Sequence, residues 1–194
     1  MTLIISNIRK RYERSSCSCE GCKACCKYMP GMLIPGDLET IAAKAEEEAV
    51  RGDDQEWFRW RNNRTEAYVK FAEEHFQASD GALVVYQRKK IRIPTLTPRL
   101  TEKGCVFLDE QERCKIWEYA PFGCSHFSVH DDANEANSKS SFALQLIMTA
   151  HETPDDWYGK FWRWLNQQGM IPPPLAERRK KLHEVLERLE RRSG

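Results

Sequence analysis

Five of the chain's eight cysteines lie within ten residues, in Cys17-Ser-Cys19-Glu-Gly-Cys22-Lys-Ala-Cys25-Cys26. The other three, Cys105, Cys114 and Cys124, lie within twenty, and the long stretch between the two groups has none. Thiols this crowded are poorly placed to pair with one another, because a disulfide needs Cα atoms about 4.4–6.8 Å apart with suitably directed Cβ vectors. Thiolates that converge on a metal ion or an iron–sulfur cluster use such spacing readily. The fold is therefore expected to bring the two cysteine groups together around metal.

Composition narrows the setting. The chain has 194 residues with a net charge of +1, so no global field argues for nucleic acid or a membrane surface. Its longest apolar run, Phe142 to Ala150, is broken by Gln145 and Thr149, which argues against a transmembrane helix. The first residues place Leu3, Ile4, Ile5 and Ile8 before Arg9, Lys10, Arg11 and Arg14, the reverse of a secretory signal. A cytoplasmic protein is expected, in a reducing compartment where metal binding is favoured over disulfides.

Along the chain, Gly21, Pro30, Gly31, Pro35 and Gly36 predict a loop around the first cysteines, with one helical turn at most. Asp37 reads as the N-cap of a helix carrying Leu38, Ile41, Ala42, Ala45 and Ala49, ended by Gly52. A second helical region covers Gln55 to Gln77, with Trp57, Phe58, Trp60, Tyr68, Phe71 and Phe76 and a break near Asn62-Asn63. Ser79-Asp80-Gly81 reads as a turn, followed by strands over Ala82–Tyr86 and Lys90–Ile93 that Pro94 and Pro98 terminate. Cys105 to Trp117 predicts a β-hairpin with a cysteine near the start of each strand. Asp131–Ser141 reads as loop, and Phe142–Ala150 fits either strand or helix. Asp155 or Asp156 caps a helix with Trp157, Phe161, Trp162 and Leu165, ended by Gly169. After Pro172-Pro-Pro174, Leu175 to Arg192 forms a charged amphipathic helix that docks on its own chain, a partner or a second copy.

The cysteine spacing leaves the metal open. Cys19-x2-Cys22-x2-Cys25 is the start of the bacterial ferredoxin run, with Met29-Pro30 where its fourth cysteine and proline would stand. Zinc is the rival: Cys22 and Cys25 form a C-x2-C knuckle that Cys114 and Cys124 could complete. Five clustered cysteines exceed the need of one zinc ion, which favours a cluster, two sites, or one site with a reactive thiol. The C-x3-C-x2-C spacing of radical enzymes is absent, since it would fall on Ser18 or Met29. His126 and His130 follow Cys124 and are weaker ligand candidates; His75, His151 and His183 have structural or surface roles. No P-loop, nucleophile elbow or dinucleotide fingerprint occurs.

At these residues the chain resembles the YkgJ-type cysteine-cluster family, described as a zinc- or iron-chelating domain. Cys19, Cys22, Cys25 and Cys26 match its C-x2-C-x2-C-C element, Cys105 its isolated cysteine, and Cys114-Lys-Ile-Trp-Glu-Tyr-Ala-Pro-Phe-Gly-Cys124 its closing C-x9-C pair. Ala120 stands where the family usually has arginine, Ser125-His126 replace another arginine, and Cys17 is extra. The resemblance implies metal or cluster binding by Cys19, Cys22, Cys25, Cys26, Cys105, Cys114 and Cys124.

The expected fold is α+β and mostly helical. It is one domain of residues 1–194, with a metal-binding module of 17–36 plus 103–128, a helical insert of 37–80 and a helical part of 142–192. The expected function is metal binding, by an iron–sulfur cluster of the [4Fe–4S] type or by zinc, with a redox, structural or metal-handling role. The alternatives are a metal-dependent modifying enzyme, such as a methyltransferase-like activity, and a structural zinc module that recognises a partner.

Overall fold

The computed structural model describes residues 11–16, 19–52, 61–86 and 88–169, together with residues 184, 185, 187, 188 and 191. The expectations for residues 1–10, for Cys17, and for Trp57, Phe58 and Trp60 lie outside the described residues. So does most of the Leu175–Arg192 helix, of which Glu184, Val185, Glu187, Arg188 and Arg191 are described and helical.

The fold is α+β and mostly helical. Its elements are α1 (Glu20–Tyr28), α2 (Asp37–Arg51), α3 (Arg64–His75), β1 (Phe76–Tyr86), β2 (Lys89–Pro98), β3 (Leu100–Thr101), β4 (Gly104–Cys105), α4 (Phe122–Ser125), α5 (Ala133–Glu152) and α6 (Trp157–Gln167), with a 3₁₀ turn at Trp117–Tyr119. Strands β1 and β2 form one antiparallel pair and β3 and β4 another. No helix among the described residues is long and apolar enough to cross a membrane.

Several elements differ from the sequence expectation for physical reasons. The first cysteine stretch is a helix, α1, because Gly21 and Ala24 give it a small buried face that cysteines extend. Gly36 rather than Asp37 occupies the N-cap of α2, and Asp37 turns its carboxylate elsewhere, as described below. Asn63 caps α3 by accepting from the Glu66 amide, and that helix ends at His75, so Phe76 and Gln77 belong to β1. The Ser79–Gly81 segment is a bulge inside β1 instead of a turn, with the register shifting between Ser79 and Ala82 and Gly81 at φ +88°. Pro94 lies opposite that bulge and is carried within β2, where its missing N–H costs no ladder bond.

The expected hairpin at Cys105–Trp117 reduces to a tight antiparallel turn with one bridge, Leu108 to Cys114. The polar stretch before Phe142 is helical too: Asp132 accepts from the amides of Asn134 and Glu135 and starts α5 at Ala133. Asp156 caps α6 in the same way through Tyr158 N.

A main apolar core joins these elements, beside a small cluster of Ala42, Ala49 and Ala67 between α2 and α3. Leu33, Ile34, Leu38 and Ile41 meet Phe76, Leu96, Phe107 and Phe122, with Ile147, Phe161 and Leu165 from α5 and α6 closing the far side. Buried Tyr158 acts as a rivet: its hydroxyl donates to Leu33 O at 2.9 Å and accepts from Leu96 N at 2.8 Å. Trp162 donates to Ser79 O at 2.9 Å, tying α6 to the bulge. The sheet and the two C-terminal helices thus fix the loop between α1 and α2, which carries one side of the cysteine region.

Candidate metal centre

Four segments converge on the cysteines. Helix α1 supplies Cys22, Cys25 and Cys26, with Cys19 at its N-cap; β4 supplies Cys105; the bridge supplies Cys114; and short α4 supplies Cys124. Cys19, Cys25, Cys26, Cys105, Cys114 and Cys124 are free thiols.

Two close approaches hold the segments in place. Gly104 has φ +116°, and a Cβ there would lie 3.1 Å from the Lys27 Cα, so this turn packs β4 directly on the end of α1 beside Cys26. Gly31 and Gly123 cross backbone to backbone, with Gly123 N donating to Met32 O at 2.9 Å. That crossing sets Cys124 beside the α1–α2 loop, where its Sγ lies 3.8 Å from Gly31 O.

The half-buried Asp37 secures the same junction. Its carboxylate accepts from Ile34 N and from Phe122 N, both at 2.9 Å, linking the loop to α4. Desolvation pushes its pKa up to about 7 against the opposing pull of those two bonds.

The thiols differ in what surrounds them. Burial pushes Cys26 up to about 11, with further rises from Cys114 and Cys25. It pushes Cys105 up to about 12, with contributions from Cys26 and Cys114. Cys124 is raised well above the ordinary thiol range, again mainly by burial, with Cys105, Cys26 and Cys114 adding to it. Cys26, Cys114 and Cys124 line one cavity and Gly104 packs Cys105 beside Cys26, so the four gather although they come from four separate segments. Burial raises Cys114 as well, while the Arg14 guanidinium opposes the rise. Arg14 is anchored nearby by donating to the carbonyls of Glu118 and Trp117. Cys25 is raised by burial and then by Cys19 at the helix N-cap.

A cavity of about 580 Å³ opens over the thiols, walled in part by Cys22, Cys25, Cys26, Cys114 and Cys124. Among the described residues, no three His, Cys, Asp or Glu side chains are arranged as a ready-made shell for a single ion. The helical form of α1 accounts for part of this: at 1.5 Å per residue, Cys19 and Cys25 are separated by about 9 Å of rise. The run cannot close on one point as a ferredoxin loop does.

The histidines stand outside the set. His126 is buried, stacks on Phe122 at 4.7 Å and bonds Ser125 Oγ at 2.8 Å through Nδ1. His130 is exposed. Sequence reading did not single out Gly31, Gly104 or Gly123 as contact points, nor Lys139. Lys139 is a buried cation bonded to Asp131 at 2.9 Å and Glu135 at 2.6 Å. Asp131 in turn accepts from Ser128 N, which fixes the Phe127–Val129 wall of the cavity. The adjacency of Gly31 to Pro30 and of Gly123 to Cys124 was the one available sequence signal; Lys139 gave none.

A family model described as CxxCxxCC, a putative zinc- or iron-chelating domain, matches residues 18–142. No curated protein and no solved structure matches the chain. The matched residues run from the start of α1 into α5 and include all seven described cysteines.

Proposed function

The chain belongs to the CxxCxxCC family of zinc- or iron-chelating domains, and from that premise we propose that it holds a resident metal centre on Cys26, Cys105, Cys114 and Cys124. The observation that carries the reading is that Cys26, Cys114 and Cys124 line one cavity while Gly104 packs its neighbour Cys105 on the end of α1 beside Cys26. Four sulfurs are the usual complement for a thiolate-bound cluster or zinc ion, so the donor set fits such a group.

An iron–sulfur cluster of the [4Fe–4S] type is the favoured occupant. Around one zinc ion, with Zn–S about 2.3 Å, tetrahedral sulfurs would stand about 3.8 Å apart. Four thiols brought in by four separate segments can also wrap a group larger than one ion. Zinc is the second reading, favoured by the closed count of four thiols.

When bound, a cluster would supply one-electron redox chemistry, whereas zinc would supply cross-linking alone. The chain's own residues do the rest. Burial keeps the free thiols protonated, so binding must expel their protons; Arg14 offsets part of the negative charge that then appears beside Cys114. A centre joining α1, β4, the bridge and α4 barely exists in the unfolded chain, so metal affinity is also folding free energy. A reducing cytoplasm, which keeps these thiols free, is part of this reading.

Anaerobic purification tests it. Brown protein with broad visible absorption, iron and acid-labile sulfide supports the cluster. Colourless protein with one zinc per chain supports the second reading, and protein free of both metals refutes the proposal.

A further inference from the structure

We propose that the cavity over the thiols is a binding site for a small amphipathic anion: an aromatic or aliphatic body bearing one carboxylate or sulfonate. Its volume of about 580 Å³ falls within the range of about 300–1,000 Å³ that takes drug-sized ligands. Besides the sulfurs, the walls carry Met29, Leu108, Trp117, Phe127 and Val129, with Lys23, Glu112 and Arg113 as the charged members of the lining.

Exposure at the mouth is a second, independent sign. Trp117 is 39% exposed and Val129 38%, and the remaining exposed large apolar side chain among the described residues, Val50, is on α2 and lines none of this space. Bare apolar surface gathered at a concave mouth marks a ligand site more often than scattered surface residues do. The rim is also held firmly, since Arg14 lies over the Trp117 ring at 5.5 Å and Asp131, tied to Lys139, holds Ser128.

Charge selects the ligand. Of the charged residues lining the cavity, Glu112 is paired with Lys27 at 2.6 Å and Arg113 with Asp109 at 3.0 Å. Lys23 is exposed and has no ion-pair partner among the described residues. One uncompensated cation beside an apolar space favours an apolar body with a single negative group. Such a ligand would rest against the proposed metal centre, but its binding does not depend on that centre's identity.

The test is calorimetric titration of the metal-loaded full chain with 8-anilinonaphthalene-1-sulfonate and with N-phenyl-1-naphthylamine, the same body without the sulfonate. Calorimetry is chosen because a cluster would quench the dyes' fluorescence. The sulfonate should bind at one site per chain and more tightly than the neutral dye. Lys23→Glu should weaken the sulfonate about fivefold, the scale of one exposed ion pair, and leave the neutral dye unchanged. Val129→Trp, which fills the mouth, should weaken both about tenfold. No binding of the sulfonate overturns the inference, as does an unchanged preference for it in Lys23→Glu. If Val129→Trp fails to fold, the Lys23→Glu result decides alone. Elemental analysis of the same samples separates the two proposals. Dye binding without metal refutes only the metal centre, and metal without dye binding refutes only this site.

Discussion

Gly31 and Gly123 pass each other so closely that a Cβ built on Gly31 would lie 2.0 Å from the Gly123 carbonyl carbon. A contact that short admits no side chain, and the atoms in the way are backbone, which cannot swing aside. The two residues stand just after α1 and just before Cys124, so their crossing sets the distance between the first cysteine group and the last.

Gly31→Ala is accordingly expected to lower stability by about 3 kcal/mol or more, the upper range for forced overpacking. It should also reduce metal content, since Cys124 would be displaced from Cys26. Denaturant unfolding and elemental analysis report the two effects. A wild-type midpoint would show that the loops part without cost.

Asp37 gives the fold a pH signature. Its folded pKa, about 7, lies above the ordinary carboxylate value of about 3.9, so the folded state binds this proton more tightly than the unfolded chain does. The contribution is complete below about pH 4, falls as pH rises through 7, and is then lost. Between pH 5 and 8 the wild type should therefore lose stability relative to Asp37→Asn, which keeps an acceptor for Ile34 N and Phe122 N without titrating. Parallel slopes for the two proteins would contradict this assignment.

Lys139 and Asp131 are almost wholly buried, their side chains 5% and 8% exposed. Lys139→Met strands the Asp131 carboxylate and should cost about 3–5 kcal/mol. Adding Asp131→Asn should recover most of that loss in equilibrium unfolding, because the buried carboxylate is then neutral and Glu135, the other partner, is about half exposed to water. A double variant no more stable than the single one would mean that packing of the lysine stem, and not its charge, matters.

Metal uptake should release protons. Cys26 and Cys105 have pKa values near 11 and 12, and Cys114 and Cys124 are raised as well, so all four enter the site protonated at neutral pH. Ligation needs thiolates, and affinity should therefore rise with pH. Zinc titrated into metal-free protein should bind more tightly at pH 8 than at pH 6, releasing up to four protons per ion into buffers of different ionisation heat. Affinity independent of pH would contradict ligation by these buried thiols.

The sequence made the cysteine grouping, the capped helix at Asp156 and the mostly helical character legible, because each depends on local pattern. It hid α1, whose inward face is built from Gly21, Ala24 and thiols in place of larger apolar residues. It hid the start of α5, where Asn134, Glu135 and Ser138 look like loop until Asp132 is recognised as a cap. Pro94 misled in the opposite direction, since a proline normally ends a strand unless a bulge faces it. The adjacency of Cys25 and Cys26 already suggests two roles, since neighbouring residues point in different directions, but spacing alone leaves open which partners each has. That depends on which side chains lie nearby: Cys19 acts on Cys25, whereas Cys26 feels Cys114, some ninety residues away, as well as Cys25.

That difference permits the most direct test. Cys25→Ser and Cys26→Ser alter adjacent residues on the same helix and should be purified anaerobically beside the wild type, with iron, sulfide and zinc measured on each. The Cys26→Ser protein should lose its metal, whereas Cys25→Ser should keep close to the wild-type content. Equal loss in both, or loss confined to Cys25→Ser, would contradict a centre built on Cys26, Cys105, Cys114 and Cys124.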